Sequence, residues 1–295
     1  MRPNAGSFPY TDENGTVWLA FMDFGERSRD RVVVCVHGLT RNGRDFDRLA
    51  TAMAKDFRVI EVDVAGRGRS GWLADKAAYG FPTYLKHMAA LLDYRGLEHV
   101  DWVGTSMGGI MGMLLAAQPE SPIRRLVLND VGPFIPKAAL ERIGDRVGQD
   151  PRFRNHQEAA EYFHEAYAEF GIPDEVAWSD LTLHSTVRQE NGTYALHYDP
   201  AIGDAFRQPI EDVDLWAVWD AITCPVLVLR GENSDLLTGE TAREMTRRGP
   251  KAELVEFPGC GHAPALMSEE QIAVVHDWLL SFDDSEEEQT GDAAG

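Results

Sequence analysis

Basic residues are scarce in this chain: 28 Lys and Arg stand against 48 Asp and Glu, for a formal net charge of -20. A surface that acidic repels phosphate backbones and anionic headgroups, and no Lys/Arg cluster offsets it, so neither nucleic acid nor a membrane is an expected partner. Cysteine is rarer still. Cys35, Cys224 and Cys260 are odd in number and form no CxxC pair, which argues against a disulfide framework or a structural zinc site and fits a reducing compartment. No run approaches the roughly 18 apolar residues of a membrane-spanning helix. The opening MRPNAGSFPY lacks the apolar stretch of a secretory signal. The nine histidines form no HExxH or comparable spacing, so no metal is expected. Together these absences predict a cytoplasmic protein.

What is present points to one large α/β unit. The 295 residues are 44% hydrophobic and 26% charged, ordinary values for a chain that buries a core. Strand and helix patterns alternate. Around Asn14-Gly15 the segment from Ser7 to Phe24 reads as a hairpin. Continuous β-branched runs follow at 31–37 and 58–65, then strand patterns at 100–105 and 123–130, and again at 225–230 and 252–258. Helical spacing falls between them at 45–54, 84–94 (stopped by Gly96) and 108–118, and a last amphipathic helix spans 269–282. Such alternation implies a mostly parallel sheet covered on both faces. From 132 to 220 strand character nearly vanishes. That is too long for a connection within a compact sheet and predicts an inserted helical cap. The expected organisation is a core at 1–131, the cap at 132–220, the rest of the core at 221–282 and an acidic, disordered tail at 283–295.

The sharpest chemical signal is Gly104-Thr105-Ser106-Met107-Gly108, a GxSxG run between a strand and a helix. A serine on so sharp a turn needs a strained backbone and a close approach of strand to helix, and glycine two residues to either side permits both. With 27 glycines and eleven serines, chance yields about 0.1 such run. A serine alone is a weak nucleophile and needs a base oriented by a third group. His262 lies in the loop after the last strand pattern. Asp235 follows the strand at 226–229 and is the leading candidate for the acid; Glu232 in the same loop and Asp130, ending the strand after the elbow helix, are the alternatives. All lie where ligands bind open parallel sheets, beyond the strands' carboxyl ends.

With these residues in view, the chain resembles the α/β-hydrolase superfamily from Gly15 to Phe282, most closely its capped serine carboxylesterases and ring-cleavage-product hydrolases. His37-Gly38-Leu39 is similar to that family's oxyanion loop, and Asp63-x-x-Gly66-x-Gly68-x-Ser70 to its DxxGxGxS run. The resemblance implies an oxyanion hole made by the N–H groups of Leu39 and Met107, His37 as a brace for that loop, and catalysis without a cofactor. It implies hydrolysis of small or medium carboxylic esters, aliphatic polyesters among them. The alternatives are a C–C hydrolase of ring-cleavage products, a lactonase, and a ligand-binding protein on the same scaffold. Cap aromatics, with Phe134, Trp178 and Trp216 foremost, are expected to line the substrate pocket, and Phe153, Tyr162, Phe163 and Leu181 are further candidates. Arg188 or Arg207 would anchor an anionic substrate. A serine at the elbow argues against dehalogenases and epoxide hydrolases, which carry Asp there.

Overall fold

The computed structural model describes residues 3–13 and 15–282, so Asn14 and the acidic tail from Asp283 lie outside the described residues. In chain order the first part of the core comprises β1 (Asn4–Asp12), β2 (Gly15–Phe24), β3 (Val32–Val36), α1 (Asp47–Met53), β4 (Arg58–Val62), α2 (Phe81–Arg95), β5 (Val100–Thr105), α3 (Met107–Ala116) and β6 (Ile123–Asn129). The inserted segment holds β7 (Phe134–Ile135), α4 (Lys137–Gly144), β8 (Arg152–Phe153), α5 (His156–Ala166), α6 (Glu175–Ser185), β9 (Thr186–Arg188), β10 (Tyr194–Leu196), β11 (Val213–Asp214) and α7 (Trp216–Asp220). The core then resumes with β12 (Val226–Gly231), α8 (Gly239–Met245), β13 (Glu253–Phe257) and α9 (Glu269–Leu280).

Eight strands form one sheet in the order β1-β2-β4-β3-β5-β6-β12-β13. From β4 to β13 every neighbour is parallel, and β2 runs antiparallel to both β1 and β4. Side chains divide by the two-residue period of a strand. Val32, Val34 and Val36 of β3 enter the core beneath α2 and α3, whereas Val33 and Cys35 enter the core beneath α1 and α9. Leu126 and Leu128 against Val127 on β6, and Val226 and Val228 against Leu227 and Leu229 on β12, repeat the division. Burial on both faces is why these strands read as unbroken apolar runs.

The inserted segment carries more strand than its sequence suggests. β8-β10-β9 form a three-stranded antiparallel sheet and β11 pairs with β7. Each has only two or three residues, too short for alternation to register. A separate core of Phe153, Ala159, Phe163, Leu181, Leu196, Tyr198 and Ile202 holds its middle together. Its two ends join the main core instead: Ile135 and the fully buried Trp219 pack with the α2–α3 side of the sheet. Among the described residues no helix is long and apolar enough to cross a membrane, and no group of three or more His, Cys, Asp or Glu side chains could hold a metal ion.

Candidate active site

Ser106 sits between β5 and α3 with φ 51° and ψ -112°, a conformation that costs a non-glycine residue on the order of 1–3 kcal/mol. The flanking glycines show why the turn closes. A Cβ on Gly104 would lie 2.4 Å from the carbonyl of Gly108, and one on Gly108 would lie 2.0 Å from the Val36 oxygen. The Ser106 N–H donates to Asn129 O at 3.0 Å and Trp102 Nε1 donates to Gly108 O at 2.9 Å, which fixes the elbow against the sheet.

His262 reaches this serine from the loop after β13. Its Nε2 stands 3.0 Å from Ser106 Oγ, and its Nδ1 stands 2.7 Å from Asp130 Oδ2. A carboxylate only accepts, so Nδ1 carries the proton and Nε2 is left to accept from the serine hydroxyl. The histidine loop is fastened from two sides. Asn129 Nδ2 donates to Pro264 O at 2.8 Å from the core, while Gly261 N–H donates to Glu169 O and Ala265 N–H to Phe170 O in the inserted segment.

Asp130, rather than the expected Asp235, therefore holds His262. Asp130 is fully buried, with a left-handed φ of 55°, and its carboxylate accepts from Gly231 N–H at 2.8 Å, Ser234 Oγ at 2.5 Å and His262. Asp235 points elsewhere: its half-exposed carboxylate takes a two-pronged contact from Arg142 Nε and Nη2 on α4, both at 2.6 Å. Burial raises the Asp235 carboxyl, but the Arg142 hydrogen bonds and charge outweigh it and leave the group below its ordinary range. Glu232 accepts from Gly259 N–H and braces the turn before the histidine.

The loop at Gly38–Leu39 lies against Ser106; a Cβ on Gly38 would be 3.8 Å from that of Ser106. Among the described residues the N–H groups of Leu39 and Met107 donate to no protein acceptor. His37 is fully buried behind them. Val64 N–H donates to its Nε2, so Nδ1–H must be the group that meets Gly38 O at 2.7 Å, and that carbonyl shares a peptide unit with the Leu39 N–H. Burial drives the His37 pKa down to about 3, so the ring stays neutral. Arg67, also fully buried, donates through Nε to Leu39 O and through Nη1 to Ala65 O and the Tyr84 hydroxyl, with Nη2 3.6 Å from Met107 Sδ. One guanidinium thus touches both arms of the loop–elbow junction. The DxxGxGxS run encloses it: Asp63 accepts from the N–H groups of Gly43 and Arg69, and the Ser70 hydroxyl donates to Asp63 O.

Ser106 and His262 open into a cavity of about 160 Å³ between the core and the inserted segment. Its walls are mostly apolar and include Ile143, Tyr162, Phe163, Tyr167, Phe170, Leu181, Leu196 and Met267. Four expected pocket residues are absent from them, Phe153 being buried in the insertion's own core. Phe134 is in the β7–β11 ribbon, Trp178 stacks on His164 with ring centres 4.0 Å apart, and Trp216 lies beneath the Arg248 guanidinium. Ring size suggests a pocket wall, but Trp178 packs within the insertion and Trp216 against the main core. Arg188 and Arg207 also lie outside the cavity, Arg207 paired with Asp204. Tyr167, Phe170 and Met267 went unpredicted because they are brought in by loops rather than by any periodic element.

The sequence matches the alpha/beta hydrolase family over residues 33–275. It is 43% identical over 282 residues to the 3-hydroxybutyrate-oligomer hydrolase of Cupriavidus necator, a match covering 92% of this chain and 96% of that protein. A putative hydrolase from Rickettsia typhi superposes with a TM-score of 0.89 at 35% identity, covering 96% of this chain and all of the other. An alpha/beta hydrolase from Novosphingobium aromaticivorans superposes with a TM-score of 0.84 at 39% identity, covering 94% and 99%. These likenesses bear out the expected fold and the expected ester-hydrolysing enzyme. The chain belongs to the alpha/beta hydrolase family.

Proposed function

We propose that the protein hydrolyses short carboxylic esters of the hydroxyalkanoate-oligomer kind through an acyl-enzyme on Ser106. The observation that carries this reading is the continuous line Ser106 Oγ–His262 Nε2 at 3.0 Å and His262 Nδ1–Asp130 Oδ2 at 2.7 Å. In this reading His262 takes the Ser106 proton as Oγ attacks the ester carbonyl. Asp130 stabilises the imidazolium and holds its tautomer. The free N–H groups of Leu39 and Met107 receive the developing oxyanion, with the Gly38–Leu39 peptide held by His37 and the flanking Leu39 carbonyl and Met107 side chain by Arg67 in advance of the reaction. His262 then protonates the leaving alcohol and activates the water that releases the acid. The 3-hydroxybutyrate-oligomer hydrolase relative supports the substrate class. The cavity volume of about 160 Å³ supports a short acyl group, since pockets for larger ligands run to roughly 300–1,000 Å³.

The test compares wild type with Ser106→Ala on p-nitrophenyl esters of rising acyl length and on the dimer and trimer of 3-hydroxybutyrate. Turnover that peaks at a short chain, includes the oligomers and vanishes in the variant is the expected result. Rapid cleavage of a ring-cleavage dienoate with poor ester turnover would move the assignment to C–C hydrolysis.

A further inference from the structure

Charge inside the cavity runs opposite to charge outside it. On a chain of formal net charge -20, the cavity carries three arginines, Arg41, Arg142 and Arg146, against the single carboxylate of Asp45. Two of the three are committed. Arg41 donates through Nε and Nη2 to Asp45 and through Nη1 to Ser185, over the face of Tyr167. Arg142 is held by both oxygens of Asp235. Arg146 is different. It lies four residues beyond Arg142, in the turn after α4, with an exposed side chain at the mouth of the cavity. Among the described residues it makes no ion pair, and its charge acts on the Tyr162 hydroxyl, another group of the cavity wall. An acidic protein repels anions at long range, so an unpaired guanidinium on the cavity that holds Ser106 is worth having only where the ligand is itself an anion to be sorted from neutral esters.

We propose that Arg146 binds a carboxylate on the alcohol side of the scissile ester, so that the substrate is an ester of a hydroxy acid with its acid group free. This inference rests on the ester-hydrolase reading above. In a 3-hydroxybutyrate dimer the carboxylate belongs to the unit that leaves: Ser106 Oγ bonds to the acyl carbon, the ester C–O bond breaks, and the departing 3-hydroxybutyrate carries both its new hydroxyl and its carboxylate away. Water then cleaves the remaining 3-hydroxybutyryl-serine. Arg146 thus acts on acylation and not on deacylation. Its effect belongs in kcat/KM and in the discrimination between charged and neutral leaving groups.

The experiment measures kcat/KM for the 3-hydroxybutyrate dimer and for the same dimer with its carboxylate converted to a primary amide. Wild type is expected to prefer the acid by about tenfold or more, a preference that shrinks as salt is raised. Arg146→Gln should lower the acid-to-amide ratio about tenfold, and Arg146→Glu should invert the preference. Arg207→Gln, which removes an arginine outside the cavity, should leave the ratio as in wild type, and circular dichroism checks that each variant is folded. Equal wild-type rates on acid and amide, both hydrolysed, would overturn the Arg146 assignment while leaving the ester-hydrolase reading intact. Hydrolysis of neither dimer and of no p-nitrophenyl ester would overturn both.

Discussion

The carboxylate of Asp130 accepts from His262 Nδ1 at 2.7 Å across 132 positions of sequence, and Gly231 N–H and Ser234 Oγ also donate to it. Asp235 lies four residues past the end of β12 at Gly231, in the loop that follows it, and spends its charge on Arg142 instead. Asp130→Asn should therefore lower kcat by about 10⁴, because an amide can present N–H to the ring and favour the wrong tautomer. Asp235→Asn should change kcat by no more than a few-fold. Steady-state kinetics of the two variants on p-nitrophenyl butyrate decide between the carboxylates; a larger loss in Asp235→Asn would reverse the assignment.

Arg67 should prove a positioning residue. It donates to Leu39 O, Ala65 O and Tyr84 Oη from a fully buried site, so Arg67→Met would leave those groups without their partner, at about 1–3 kcal/mol for each group left unsatisfied. Beyond the stability loss seen in urea, kcat should fall while KM holds, as the proposed transition-state role of the Leu39 and Met107 N–H groups requires. Leu39→Ala, by contrast, keeps the backbone donor and should be mild. A loss in KM alone on Arg67→Met would contradict the positioning role.

The elbow glycines allow a sharper steric prediction. A methyl on Gly108 would sit 2.0 Å from the Val36 carbonyl oxygen, and both are backbone atoms of packed elements that cannot swing aside. Gly108→Ala should cost about 3 kcal/mol or more, or prevent soluble expression. Gly192→Ala, where no atom lies within 4 Å but φ is 85°, should cost only the strain of that backbone, about 1 kcal/mol. Urea midpoints of the two variants test the contrast.

Acid should weaken the fold through His87, which is remote from the reaction. His87 is buried on α2 against Tyr10, and burial lowers its pKa to about 4. The unfolded chain binds this proton near pH 6.5, the folded chain only near 4. Stability is therefore whole above pH 6.5 and is lost as pH falls from 6.5 toward 4, by at most about 1.4 kcal/mol per pH unit from this group. His87→Phe keeps a ring and removes the titration. Its stability relative to wild type should rise as pH falls through that window and level off below it, and a flat difference curve would refute the assignment.

Much of this architecture is legible in the sequence because its strands are buried on both faces, so runs such as 32–36 and 226–229 are apolar without interruption. Ser106 and His262 are legible for a related reason: glycines that no other residue could replace mark the elbow, and the histidine follows the last strand. The sequence ranks Asp235 above Asp130, and the structure reverses that order. Both follow parallel strands at the same edge of the sheet, and only the left-handed φ of Asp130, together with the Gly231 and Ser234 donors, decides which one turns toward the imidazole. The pocket wall was the least legible part. Tyr167, Phe170 and Met267 arrive on irregular chain, while the indole of Trp178 packs within the insertion and that of Trp216 against the main core.

The claim on which the rest depends is a covalent acyl-enzyme on Ser106. Rapid mixing of the protein with p-nitrophenyl butyrate, acid quenching and mass spectrometry of the intact and digested chain test it directly. The account predicts one butyryl group per chain, on the peptide that contains Ser106, and none in Ser106→Ala. Full turnover with no adduct, or an adduct on another residue, would contradict it.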